Sequence, residues 1–344
     1  MSDTRNNPLA ESLADSGSPG SRYDRGVKSA LSRGAMALAA LGTLALVGCG
    51  SSGVSLNSPA GTILQAANTR ALSSSFQVAF TGQLQVDLSG VSASAGVTSG
   101  ELALLQTAIN STELNVVMQV QSPEQFELSF TLSPLLTQTW RVLDLDGSKY
   151  ISENGTQWYS VASGKSSAAG LGPSGLSTLK TEIKSWGKDL ANSATVTKLG
   201  TTTIGGNQVE HLQTTIAGSS LNQSMPGILG DVVGALGSEG ASLNADLPAI
   251  EGMLQFTQAK TDSYILTSTG QLARTDVTFG LNLNLAELST LVPSATGLPT
   301  GTVPMTLSFE GNFSDYGKSF GLQKPSNIVA GPLPTPSGLA GALS

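Results

Sequence analysis

One cysteine, Cys49, and one histidine, His211, are all the thiol and imidazole that 344 residues contain. A lone thiol forms no internal disulfide, and paired-cysteine zinc or redox sites are excluded with it. His211 stands in the strand-like stretch 208–216, with no serine or acid nearby in a recognisable nucleophile arrangement. No P-loop, HExxH or CxxC is present. Asp144 and Asp146 are two residues apart but flank a turn signal, where Asp is favoured for local hydrogen bonding. A metal there needs further oxygen ligands that the pattern does not supply. Gly205-Gly206-Asn207 reads as a turn rather than a phosphate cradle. The expectation is a protein with no catalytic residues, no metal and no cofactor. Charge is scarce as well: 12% of residues, against about 25% in ordinary soluble domains. Aromatics make up 5%, so bulky side chains to plug an interior are few. The longest apolar run, 34–48, has 15 residues, short of the roughly 20 that span a bilayer.

That short run is nonetheless the most informative stretch present. Arg22, Arg25, Lys28 and Arg33 precede it, and it closes on Leu46-Val47-Gly48-Cys49. Basic residues, an apolar core and small residues at a cut form an export signal. The last four residues resemble a bacterial lipobox, in which the cysteine becomes the first mature residue and carries lipid, palmitate being one such acyl chain. Residues 1–48 are then a signal peptide with a long polar n-region. Translation from Val27 would leave an ordinary short one. Residues 49–58 are the acylated Cys49 and a tether, about 33–36 Å long at full extension. Five of the 17 basic and four of the 24 acidic residues precede Cys49, so the remainder carries 12 and 20, a net −8. That sign argues against nucleic acid as partner. The expected location is the cell membrane or envelope, lipid-anchored at the extracytoplasmic face.

Beyond the tether, 59–74 reads as a helix, with Ile63, Ala66, Ala67 and Leu72 available to pack. Period-2 alternation then takes over. Phe76, Val78, Phe80, Leu84, Val86 and Leu88 share one face, and Gln77, Thr81, Gln83, Gln85 and Asp87 the other, as in a half-buried antiparallel strand. Gly82 reads as a bulge or bend within it. The pattern recurs over 113–121, 126–132, 276–285 and 303–313. Asp146-Gly147 and Asn154-Gly155 are hairpin turns separating strands at 139–145, 149–153 and 156–161. Two segments are helical. Leu176, Leu179, Ile183, Trp186 and Leu190 form one apolar stripe. Stripes at 225–236 and 243–254 lie in a stretch with seven glycines from Gly218 to Gly252, each costing about 1 kcal/mol relative to Ala. Trp158 and Trp186 read as core or rim packing, while Trp140 has no role assigned by pattern. The folded unit is 59–328, and the proline-bearing end reads as a disordered tail, 329–344, with that character setting in from Pro325.

Several segments together resemble a known family. They are the lipobox; the long first strand; Leu145-Asp146-Gly147-Ser148-Lys149-Tyr150 with Gly155-Thr156-Gln157-Trp158; Lys198 to Asn207; Tyr264 to Arg274; and Phe313-Ser314-Asp315-Tyr316-Gly317. Their order resembles the lipid-binding lipoproteins of the mycobacterial envelope (the LppX/LprG type) and, more distantly, periplasmic carriers of the LolA type. The resemblance implies an α+β fold, a large curved antiparallel half-barrel with helices packed on its concave face. It also implies an acyl-chain cavity between the two and a non-enzymatic holder or carrier of lipid. Candidate cavity residues are Phe80, Val116, Phe130, Trp186, Ile228, Val232, Leu247, Ile250, Phe279 and Leu281, with the Gly-rich segment as a movable cover. The competing expectation is a sensing or scaffolding module that binds another envelope protein instead.

Overall fold

The computed structural model describes residues 58–92, 98–122, 124–134, 136–161, 192–235, 247–286 and 301–329. The expected helix 176–190, the whole of 1–57 and the tail from 330 lie outside that set.

Ser58 opens α1 (Pro59–Leu72): its hydroxyl accepts the Gly61 N–H at 3.0 Å, and Pro59 supplies a first-turn residue that needs no partner for a missing N–H. The buried seam of α1 is Ala60, Leu64, Ala67 and Ala71; of the expected residues Ala67 lies in it and Ile63 packs beside it, whereas Leu72 does not. Leu72 faces outward, because the helix lies close to the sheet along its small residues. Strand β1 (Phe76–Val86) follows, then α2 (Ser99–Asn110), which the hydrophobic pattern did not reveal. Its start is a reciprocal cap: Thr98 Oγ1 accepts the Glu101 N–H, and Glu101 accepts the Thr98 N–H at 2.7 Å. Five strands then meander, β2 (Glu113–Ser122), β3 (Gln125–Ser133), β4 (Leu136–Leu145), β5 (Ser148–Glu153) and β6 (Gln157–Val161). Next come β7 (Ala194–Ile204) and β8 (Asn207–Ala217), followed by α3 (Gly218–Ala235) and α4 (Leu247–Met253). Last are β9 (Leu254–Leu266), β10 (Leu272–Asn284), β11 (Thr302–Ser314) and β12 (Ile328–Val329). The turn signals hold. Asp146 and Gly147 take φ 52° and 86°, Asn154 and Gly155 both take 72°, and Gly205 and Gly206 take 54° and 79°.

All twelve strands form one sheet, ordered β12-β6-β5-β4-β3-β2-β1-β11-β10-β9-β8-β7, antiparallel throughout except for β12 on β6. It is the expected α+β architecture, an open curved half-barrel. Pairing runs unbroken through Gly82, which therefore marks no bulge. Gly82 lies across from Phe309, and a Cβ there would stand 2.8 Å from the ring; Gly311 lies across from Phe80 and would meet it at 2.6 Å. Each phenylalanine occupies the space that its glycine partner leaves.

The sheet's two faces differ. One carries Phe76, Val78, Phe80, Leu114, Val116, Val277, Leu281, Leu307 and Phe309, all buried, with Leu221 of α3 packed among them. Helix α1 joins the same face beside Leu212 and Phe313, and Leu102 of α2 joins it beside Val86 and Val303. Opposite lies a polar face. There Arg274 pairs with Asp276 and Glu310, at 2.7 and 2.9 Å, and Gln77 meets Gln119 at 3.0 Å. An exception on that side is a small core of Leu143, Tyr150 and Trp158, covered by Leu322 and Ile328. The end of the chain, read as disordered from Pro325 by composition, thus runs as β12 through Val329. Its Asn327 carbonyl accepts the Trp158 N–H at 3.0 Å.

Candidate functional site

The concave apolar face is the feature from which function can be built. Strands β1, β2 and β9–β11 contribute its buried centre. Toward β3 the same rows continue as Met118, Val120, Leu128, Phe130 and Leu132, which are only half-buried. Register makes the carpet continuous: Phe80 lies beside Val116, Val116 beside Phe130, and Phe130 beside Trp140. Aliphatic area that is half-covered in the folded chain is what an apolar ligand would finish covering, at about 25 cal/mol per Å².

Of the candidate residues, Phe80, Val116, Phe130, Phe279 and Leu281 come together in this one cluster. Ile228 and Val232 sit on α3 and Leu247 and Ile250 on α4, but their side chains are outside the described set, as is Trp186 altogether. Cys49 is outside it too. Helix α3 carries Pro226 in its interior together with Gly227, Gly230 and Gly234. Proline removes one backbone hydrogen bond and the glycines add conformational freedom, so this element is weak for its length.

A pocket formed by the described residues lies in a different place. It measures about 390 Å³ and lies where β9 extends past the end of β8, lined by polar Asn222, Glu251, Gln255, Asn282, Asn284 and Thr302 together with Pro226 and Leu254. None of the five described candidates, Phe80, Val116, Phe130, Phe279 and Leu281, is among its lining residues. Asn222 has a structural duty there. Its side-chain amide donates to the Phe256 carbonyl at 2.9 Å and accepts the Phe256 N–H at 2.7 Å, standing in for the missing strand. Asn110 treats the Val86 backbone in the same way, at 3.1 and 2.7 Å.

His211 lies on the polar face. Its Nε2 is 2.8 Å from Asp262 Oδ1, and its ring stacks on Tyr264 with centroids 4.5 Å apart. Burial pushes the Asp262 carboxyl up, but hydrogen bonds from Gln213, Lys260 and His211 outweigh it and hold the group below its ordinary range. Asp144 accepts from the Gly147 N–H at 3.0 Å and from Lys149 at 2.7 Å, the turn role expected of it. Among the described residues no three His, Cys, Asp or Glu side chains gather into a metal-holding group. Among the described residues, two polar atoms that sequence pattern could not flag are buried without a hydrogen-bond partner: Trp140 Nε1 and Thr214 Oγ1.

No family model matches the chain, and no curated protein matches it. Solved structures do. The lipoprotein LppX from Mycobacterium tuberculosis is similar at 13% identity and TM-score 0.37, over 76% of this chain and 97% of that one. LprF from Mycobacterium bovis is similar at 12% identity and TM-score 0.33, over 78% and 98%. A putative outer membrane lipoprotein-sorting protein domain from Vibrio parahaemolyticus is similar at 9% identity and TM-score 0.20, over 76% and 93%. Likeness at this level carries nothing about what this chain binds. Among the described residues no helix is long and apolar enough to cross a membrane.

Proposed function

We propose that this chain is an envelope lipoprotein, tethered through acylated Cys49, that holds lipid acyl chains against the concave face of its sheet. The observation that carries the reading is the contrast between faces. Apart from the small core under Leu322 and Ile328, the convex side is polar and internally paired, whereas the concave side is a continuous apolar carpet left half-covered at Met118, Leu128 and Phe130. Acyl chains gain about 0.8 kcal/mol per buried CH₂, so one fatty chain supplies several kcal/mol after ordering. Helices α3 and α4 serve as the movable cover, and Val232 and Ile250 are the positions on them chosen for the test. Organic extraction of the purified protein followed by mass spectrometry tests this directly. Lipid should copurify with the wild type and with Gln83→Lys, which meets Glu113 on the wetted face. Val232→Asp and Ile250→Asp should retain much less, because a carboxylate facing acyl chains stays unpaired or takes up a proton. Equal lipid in all four, or none in wild type from an envelope-bearing host, would refute the reading.

A second reading has its own support. Helix α2 presents Leu104 and Leu105 to solvent, 73% and 51% exposed. An exposed leucine pair on a helix suits a protein partner, as expected of a non-enzymatic sensing or scaffolding module. A lipid-free protein that loses its partner on Leu104→Ser would favour it.

A further inference from the structure

We infer that Trp140 is the polar anchor of the lipid site, donating its indole N–H to the carbonyl oxygen of a neutral acyl ester or amide. The inference rests on the lipid-holding reading above and adds the chemistry of the ligand to it. Trp140 is 7% exposed and packs against Phe130, Leu132 and Ile151, on the half-covered wing of the concave face. Among the described residues its Nε1 has no hydrogen-bond partner. Glu153, directly across on β5, does not accept it. An indole N–H only donates, and buried donors in native proteins are nearly always paired. The side chains packed on the indole, Phe130, Leu132 and Ile151, are hydrocarbon and give a water molecule no polar partner. A ligand that brings hydrocarbon and a hydrogen-bond acceptor on one molecule satisfies both the carpet and the donor.

Charge narrows the class further. A free fatty carboxylate would need a cation, and the one that register brings nearby among the described residues, Lys149, is committed to Asp144 at 2.7 Å. The acceptor is therefore a neutral carbonyl.

The test uses two probes with the same headgroup and chain length, 1-palmitoyl-lysophosphatidylcholine and its 1-O-hexadecyl analogue, which lacks the carbonyl. Wild type should bind the ester about three- to tenfold more tightly than the ether, the worth of one net hydrogen bond. Trp140→Phe should bind both like the ether. In protein labelled with ¹⁵N-tryptophan, the Trp140 indole proton should move downfield with the ester and stay in place with the ether. That measurement needs only wild type and decides the matter if the variant folds poorly. Equal affinities with an unmoved resonance, or an ester preference that survives in Trp140→Phe, would overturn the anchor and leave the carrier reading standing. If neither probe binds wild type, the carrier reading falls, and the anchor with it.

Discussion

At the scale of single residues, two asparagines and two glycines act where the pattern of apolar side chains is silent. Asn222 and Asn110 each finish a strand edge with a side-chain amide. Asn222→Leu should therefore leave two backbone groups of Phe256 unpaired and lower stability by about 1–3 kcal/mol in urea denaturation. Gly82→Ala should cost about 1–3 kcal/mol by overpacking against Phe309, and Phe309→Leu added to it should recover part of the loss. Asp262 sets an acid limb. Its folded pKa lies below the unfolded value near 3.8, so its contribution to stability is complete above that value and is lost as pH falls through the folded one. Asp262→Asn should flatten the fall in stability below about pH 4 relative to wild type, read by thermal melts across pH. A wild-type fall that the substitution leaves unchanged would remove Asp262 from that role.

At the scale of elements, most strands were legible because their alternation is clean: β1, β2, β10 and β11 each set one apolar row against one polar row. Helix α2 was missed because its apolar residues form no single buried stripe; only Leu102 is buried, and Leu104 and Leu105 face out. The Thr98-x-x-Glu101 box was the signal that could have found it. The second small core was hidden for a related reason. Strands β4 and β5 are apolar on both faces, with Trp140 and Val142 inward and Leu143 and Tyr150 outward, and that reads as one hydrophobic run until a cover such as Ile328 is known. Trp140 could not be flagged at all, since an unpaired indole is a fact of three-dimensional surroundings. Helix α3 carries an expectation of its own. Amides in its glycine-bearing second half should exchange with solvent well before those of β1 and β11, because few strong helix formers resist local opening there. Equal protection of α3 and the central strands, by hydrogen-exchange mass spectrometry, would rule out a readily opened cover.

At the scale of the whole molecule, the recurring alternation indicated a one-sided sheet, but not its strand order. β1 pairs with β11 across more than 200 residues of sequence, and nothing local announces such a contact. The order places the two sheet edges far apart and makes them unequal. On one side the short β12 covers β6, while on the other β7 offers eleven residues, Thr-rich and with Lys198 its single charge, and with no strand beyond it among the described residues. Strand addition needs an open ladder on both sides of each molecule to propagate. A chain with one long open ladder can join only to its like, edge to edge, and then stops. Concentrated protein should therefore stall at a two-fold pair rather than grow into fibres, and ultracentrifugation with thioflavin staining would show it. Self-association, where it occurs, is self-terminating, so crowding many copies together carries little risk of runaway polymerisation.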